Sequence, residues 1–174
     1  MSEAAGHLVC TFSVQGFLLG VPVEEVQEVL RQPEATRVPK AAACVRGVVN
    51  LRGQILAAID LRARLGLPPR ASDDAPMTVV VRGAEGQTAL VVDEIGDVLQ
   101  VEGDLTPPPE TLPPHLQELA LGIYELEEGL LVLLDAQRAA TVEGERRRGE
   151  LGGRAQGTKR PAERDQGKGA TWSA

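Results

Sequence analysis

The stretch Val23-Glu24-Glu25-Val26-Gln27-Glu28-Val29-Leu30 returns 69 positions later as Val92-Asp93-Glu94-Ile95-Gly96-Asp97-Val98-Leu99. Seven of the eight pairs are identical or nearly isosteric, and only Gln27 against Gly96 breaks the match. A second stretch behaves alike. Gly47-Val48-Val49-Asn50-Leu51, running on to Ile59-Asp60, returns 75 positions later as Gly122-Ile123-Tyr124-Glu125-Leu126, running on to Leu134-Asp135. The body is therefore one structural unit used twice. Paired units leave a groove between them, which suits docking before it suits catalysis.

Outward from the repeat, residues 8–13 and 16–21 read as short strands around a Gln15-Gly16 turn. Pro22 then opens a short helix. Its apolar positions Val23, Val26, Val29 and Leu30 follow helical spacing, and Glu24 and Glu25 sit in the first turn, where the helix dipole favours them. Pro33 and Pro39 break the connection that follows. Residues 45–51 and 54–59 read as strands joined at Arg52-Gly53. Asp60 is a helix N-cap for residues 61–65, Gly66 stops that helix, and Pro68-Pro69 prevents its continuation. The second unit repeats the order. Residues 77–82 and 88–92 are strands around a Gly83/Gly86 turn. Residues 93–99 match the first short helix, with Gly96 leaving a bend or a strand open. Residues 106–114 hold five prolines and read as a stiff, extended connection. Residues 122–126 and 130–134 form the last hairpin, and residues 136–142 a final turn of helix.

Four or five short strands per lobe are too few for an open sandwich. Closing each lobe into a small barrel removes its exposed edges. The fold expected is mostly β, with lobe one over 16–75 and lobe two over 76–144 plus the first strand. Residues 1–6 read as a loose end. From Glu145 onward the chain carries eight basic and four acidic residues and few aliphatic ones. Such a segment cannot bury enough apolar area to offset its ordering entropy, so residues 145–174 are expected to be disordered.

The 174 residues are 43% apolar but only 2% aromatic, so the core must be built from Val, Leu, Ile and Ala. No apolar run approaches the roughly 20 residues of a membrane span. Met1-Ser2-Glu3 lacks the basic and apolar regions of a signal peptide, and the expected location is the cytoplasm. Cys10 and Cys44 have no paired metal spacing and read as small buried hydrophobes. The net charge of -7 hides a segregation: residues 31–70 balance to +6, residues 71–144 to -13. Such faces are either ordinary solvated surface or complementary surfaces that choose different partners.

Catalytic chemistry finds little support. The histidines are His7 and His115 only, and no serine sits in a nucleophile elbow. No Gly-rich run ends in Gly-Lys-Ser or Gly-Lys-Thr. Asp60 and Asp135 hold equivalent places and could meet as a carboxylate pair, but each has a helix to cap. A basic small-barrel nucleic-acid-binding module is the alternative reading of residues 31–70. That region lacks the aromatic platforms on which bases stack, and the acidic second lobe would repel phosphates. Arg52, at a hairpin tip beside Gly53, is either a soluble turn residue or a planar fork of donors offered to a partner; its counterpart in the other hairpin is Glu127.

Residues 45–66, VRGVVNLRGQILAAIDLRARLG, resemble the signature region of the CheW family of bacterial chemotaxis coupling proteins. The flanking motifs agree in order: LGVPVEEVQEV at 19–29, ALVVDEIGDV at 89–98, and residues 122–135. The resemblance spans roughly residues 7–142. It implies two intertwined five-stranded barrels of the Src-homology-3 kind and an adaptor with no catalytic residue, metal or cofactor. Its partners would be the cytoplasmic tips of methyl-accepting chemoreceptors and the regulatory domain of a CheA-type histidine kinase. Other CheW-like proteins would join them in rings within membrane-associated arrays, so contact with the membrane would be only indirect and nucleic acid would not be a partner. Carried over by position, the receptor-facing residues would be Val26, Glu28, Arg52, Ile95, Val98 and Leu99. Gly47 would lie near the kinase-facing side of the first lobe. Two departures stand out: Leu19 occupies a place where an aromatic often precedes Gly20, and the Arg-rich tail lies outside the resemblance.

Overall fold

A computed structural model describes residues 6–31, 33–71 and 74–142. The expectation of disorder over 145–174 lies outside the described residues, as does that of a loose end over 1–6 apart from Gly6. The chain runs β1 (His7–Val14), β2 (Phe17–Pro22), one turn of 3-10 helix (Val23–Glu25), β3 (Val26–Arg31), β4 (Val45–Leu51), β5 (Gln54–Asp60) and α1 (Leu61–Arg64). It continues with β6 (Met77–Gly83), β7 (Gly86–Val92), β8 (Glu94–Val101), α2 (Pro114–Leu119), β9 (Ala120–Leu126), β10 (Gly129–Leu134) and α3 (Ala136–Ala140).

These strands make two five-stranded sheets, ordered β8-β1-β2-β10-β9 and β3-β6-β7-β5-β4. Advancing every strand by five positions turns one order into the other, so the duplication seen in the sequence is a duplication of topology. The parallel pairs correspond too, β2 with β10 and β7 with β5. The sheets do not coincide with lobes at 16–75 and 76–144. Each half of the chain places its first hairpin in the sheet that the other half completes. β1-β2 joins β8-β9-β10, and β6-β7 joins β3-β4-β5. The intertwining therefore involves a whole hairpin from each side rather than a single terminal strand.

Neither sheet closes on itself by a ladder among the described residues. Instead the segment after each outer strand lies against the opposite outer strand. Thr36 pairs with Val48 on β4, and Thr106 pairs with Ile123 on β9. Gly47 and Gly122 permit this approach. A Cβ on Gly47 would run into the Thr36 carbonyl, and one on Gly122 would meet the Thr106 carbonyl oxygen at 2.6 Å.

The inner strands of each sheet are buried on both faces, which explains their near-continuous apolar runs. Phe12, Leu19, Val132 and Leu134 of the first sheet join Val79, Val81, Leu90 and Val92 of the second in one shared core, which also takes Leu61, Leu116 and Ala136 from the helices. Their neighbours point the opposite way. Val9, Leu131 and Leu133 fill the hollow of the first sheet, and Val80, Ala89 and Val91 that of the second. Cys10 and Cys44 are buried free thiols, and burial pushes both up from their ordinary range.

The helix expected over 23–30 is only the single turn Val23–Glu25, followed by strand β3, and over 93–99 the strand that Gly96 left open is the outcome, as β8. Each strand carries an extra residue: Val26 and Glu28 oppose the adjacent Val81 and Val80, and Ile95 and Val98 oppose Phe12 and Cys10. Such a bulge shifts the alternation by one. Val26 faces the shared core, Val29 faces out, and Leu30 faces the second sheet's hollow. Inward residues thereby recur at helical spacing in a strand. The proline-rich connection expected over 106–114 holds no helix before its last residue, and α2 begins there. Pro114 takes its first position, where the missing N–H costs nothing.

Candidate functional site

The two outer strands β3 and β8 are equivalents, and they carry most of the residues singled out by position. Val26 and Ile95 are half-buried against the shared core, and Leu99 packs on the first sheet's inner cluster. Val98 lies on the outside, 55% exposed, and its equivalent Val29 is 39% exposed. Each half thus presents an exposed valine just beyond a bulge on an outer strand. The sequence reading included Val98 and not Val29 among the receptor-facing residues, although the repeat makes them counterparts.

Arg52 has φ +51° at the β4–β5 turn, with Gly53 beside it at +85°. The Asn50 side chain accepts a hydrogen bond from the Gly53 N–H at 3.0 Å and fixes the tip. This geometry carries the Arg52 guanidinium across the gap to β3, where Nη2 donates to Glu28 Oε2 at 3.2 Å. The Glu28 side chain is 23% exposed and that of Arg52 79%. Glu28 and Arg52, both receptor-facing by the resemblance, therefore form one unit. Its exposure limits it to about 0–1 kcal/mol of stability and leaves most of its donors free for another molecule. Gly47, in contrast, is buried and presents no face of its own.

Spacing along the chain did not disclose a second cluster. Arg62 donates from Nε and Nη2 to both oxygens of Asp93, at 2.6–3.0 Å. Arg70 Nε donates to Asp93 Oδ1 at 2.9 Å, and its Nη1 to Asp60 Oδ2 at 3.3 Å. Arg70 Nη2 lies 2.8 Å from Asp93 Oδ1 without hydrogen-bond alignment. The Gln15 N–H donates to Asp93 Oδ2 at 2.7 Å. Burial pushes the Asp93 carboxyl up, but the bonds from Arg62, the Gln15 N–H and Arg70 outweigh it and hold the carboxyl below its ordinary value. Asp93 follows β7, at the passage from one sheet to the other, so the cluster ties the two together. It exists on one side only: the counterparts of Asp93 and Arg62 are Glu24 and Gln137.

This cluster alters the reading of the charge segregation. Arg62 and Arg70, counted in the basic face, are neutralised by acids from both halves and are not offered to an external phosphate backbone. Asp60 accepts from the Arg62 N–H and caps α1, while Asp135 caps α3 and pairs with Arg138 at 3.3 Å. Each carboxylate thus has its own cap and its own arginines. Among the described residues no group of three His, Cys, Asp or Glu side chains is arranged to hold a metal ion, and no helix is long and apolar enough to cross a membrane.

Comparison with known proteins agrees with this geometry. The family model described as CheW-like domain matches residues 8–143. The chain is 28% identical over 142 residues to a chemotaxis protein CheW of Klebsiella aerogenes, covering 81% of this chain and 86% of that protein. It is 30% identical to the chemotaxis protein CheW of Bacillus subtilis, covering 75% and 85%. To the protein PilI of Pseudomonas aeruginosa it is 32% identical, covering 74% and 76%. The crystal structure of the scaffolding protein TtCheW from Thermoanaerobacter tengcongensis superposes with a TM-score of 0.70 at 25% identity, over 80% of this chain and 95% of that one. Duplicated topology, bulged outer strands and a match over the whole folded region lead to one family: the chain belongs to the CheW family.

Proposed function

We propose that this chain is a non-catalytic adaptor that couples the cytoplasmic tips of chemoreceptors to a CheA-type histidine kinase, in the cytoplasm at membrane-associated arrays. The observation that carries the proposal is the Glu28–Arg52 unit beside the exposed Val29 on β3, with Val98 exposed at the equivalent place on β8. A helical receptor tip meets there an apolar strip with a charged fork at its side. In this reading Val26, Glu28, Arg52, Ile95, Val98 and Leu99 serve the receptor. Gly47 acts on the kinase side through the backbone it lets pass, the segment around Thr36. A kinase regulatory domain of the same fold would meet the adaptor sheet to sheet. Weak contacts would gain strength from their multiplicity in a lattice, which gives control without chemistry.

The test is a pull-down with purified kinase and a receptor tip fragment, scored for a ternary complex. The adaptor reading expects both partners to be retained together and Arg52→Glu to lose the receptor fragment while keeping the kinase. Retention of neither partner, with a shift of labelled oligonucleotide instead, would replace the adaptor by a nucleic-acid module.

A further inference from the structure

The two sheets have equivalent mouths with opposite fittings. In the second sheet, Arg52 at the hairpin tip reaches Glu28 on the outer strand and bridges the opening. In the first sheet the same positions are Glu127 and Asp97, two acids that cannot bridge. That mouth is an open groove of about 640 Å³, floored by Leu18, Leu99, Leu112 and Leu126, with Asp97 and Glu128 among its walls. Among the described residues neither acid has an ion pair. An apolar slot with unpaired carboxylates suits an occupant with a large apolar side chain and nearby cations.

We propose that the occupant is the C-terminal segment of this same chain. Trp172 seats among the leucines, and the basic residues before it face Asp97 and Glu128. From Glu145 onward the chain has eight basic residues against four acidic ones, opposite in sign to the groove, and it holds the only tryptophan of the protein. A buried tryptophan contributes about 150–250 Å² of contact, more than any other side chain of this segment. Reach is no obstacle. Trp172 lies 30 residues beyond Val142, so an extended chain spans about 100 Å, against a breadth of about 40 Å for a domain of this size. The segment therefore covers, in an intramolecular contact, a surface that an external partner would otherwise meet.

Tryptophan fluorescence of the full chain, excited selectively over Tyr124, tests this directly, because Trp172 is the only tryptophan. The expected emission maximum lies to the blue of that of the denatured chain and of a synthetic peptide of residues 165–174. It moves to the red in high salt, in Leu130→Glu, and in the double variant Asp97→Lys/Glu128→Lys, while dilution leaves it unchanged. These positions are exposed, and circular dichroism checks that the variants remain folded. An emission matching the free peptide overturns the proposal. A blue shift that survives the groove variants places Trp172 elsewhere and overturns it too. A shift that disappears on dilution assigns the groove to the segment of a second copy, which also refutes the intramolecular contact.

Discussion

Replacing Asp93 by Asn keeps the shape of the side chain and removes its charge, leaving Arg62 and Arg70 facing each other. Their side chains are only 15% and 8% exposed, so water compensates little. Removing one partner of a buried pair costs about 3–5 kcal/mol. The residual exposure and the carbonyl oxygen that Asn retains put the expected loss near the lower end, about 3 kcal/mol. For a domain of this size that is a fall in Tm of about 6–12 °C, read by thermal and urea unfolding at neutral pH. The loss depends on pH in a stated direction. Asp93 titrates below its ordinary value of about 3.9 in the folded protein. Its contribution is complete above that value and disappears as pH falls through the folded value, because the unfolded chain takes up the proton first. Wild type and variant should therefore converge in acid. A loss under about 0.5 kcal/mol at neutral pH, or a difference that persists undiminished in acid, would refute the assignment of a buried charge cluster to the passage between the sheets.

Arg52→Glu should leave Tm within about 4 °C of wild type, since an exposed pair is worth at most about 1 kcal/mol. Full receptor control of kinase activity in that variant would remove Arg52 from the interface. Gly47→Ala should cost about 2–4 kcal/mol in urea unfolding, from φ +145° and the Thr36 carbonyl lying where the methyl must go. Val98→Lys should weaken receptor-tip binding by about tenfold in a titration while urea unfolding stays within about 0.5 kcal/mol; an unchanged affinity would take β8 out of the docking strip. Truncation after Glu143 should retain adaptor activity in a kinase-coupling assay, and complete loss would assign the remaining segment a necessary role.

Much of this was legible in the chain because it was written locally. The strand Val45–Leu51, its hairpin and the Asp60 cap follow from an apolar run, an Arg-Gly turn and an acceptor before helical residues. The misread helix over 23–30 has a physical cause of its own. Gln27 and Gly96 each add a residue to a strand, and in β3 the shifted alternation turns Val26 and Leu30 inward, four positions apart as on one face of a helix, while Val29 faces out. The mismatch of those two residues also has a reason. Gln27 accepts a hydrogen bond from Arg82 at 2.6 Å, whereas a Cβ on Gly96 would collide with the Thr11 hydroxyl. The Arg62–Asp93 cluster spans 31 positions and two halves of the chain, and nothing in the spacing announces it. The pairing of Glu28 with Arg52 likewise depends on the curl of a sheet rather than on any local pattern.

The exchanged hairpins have a consequence for how the molecule can come apart. Cutting the chain between α1 and β6 would not liberate two working modules, because each fragment would keep three strands of one sheet and a hairpin belonging to the other. Either fragment alone would expose β2 or β7 along the side that should meet a parallel neighbour, whereas a mixture of the two should reconstitute by mutual complementation. The protein is in this sense a two-component assembly made obligate by a tether, and loosening at one outer strand is felt by residues contributed from the far end of the polypeptide.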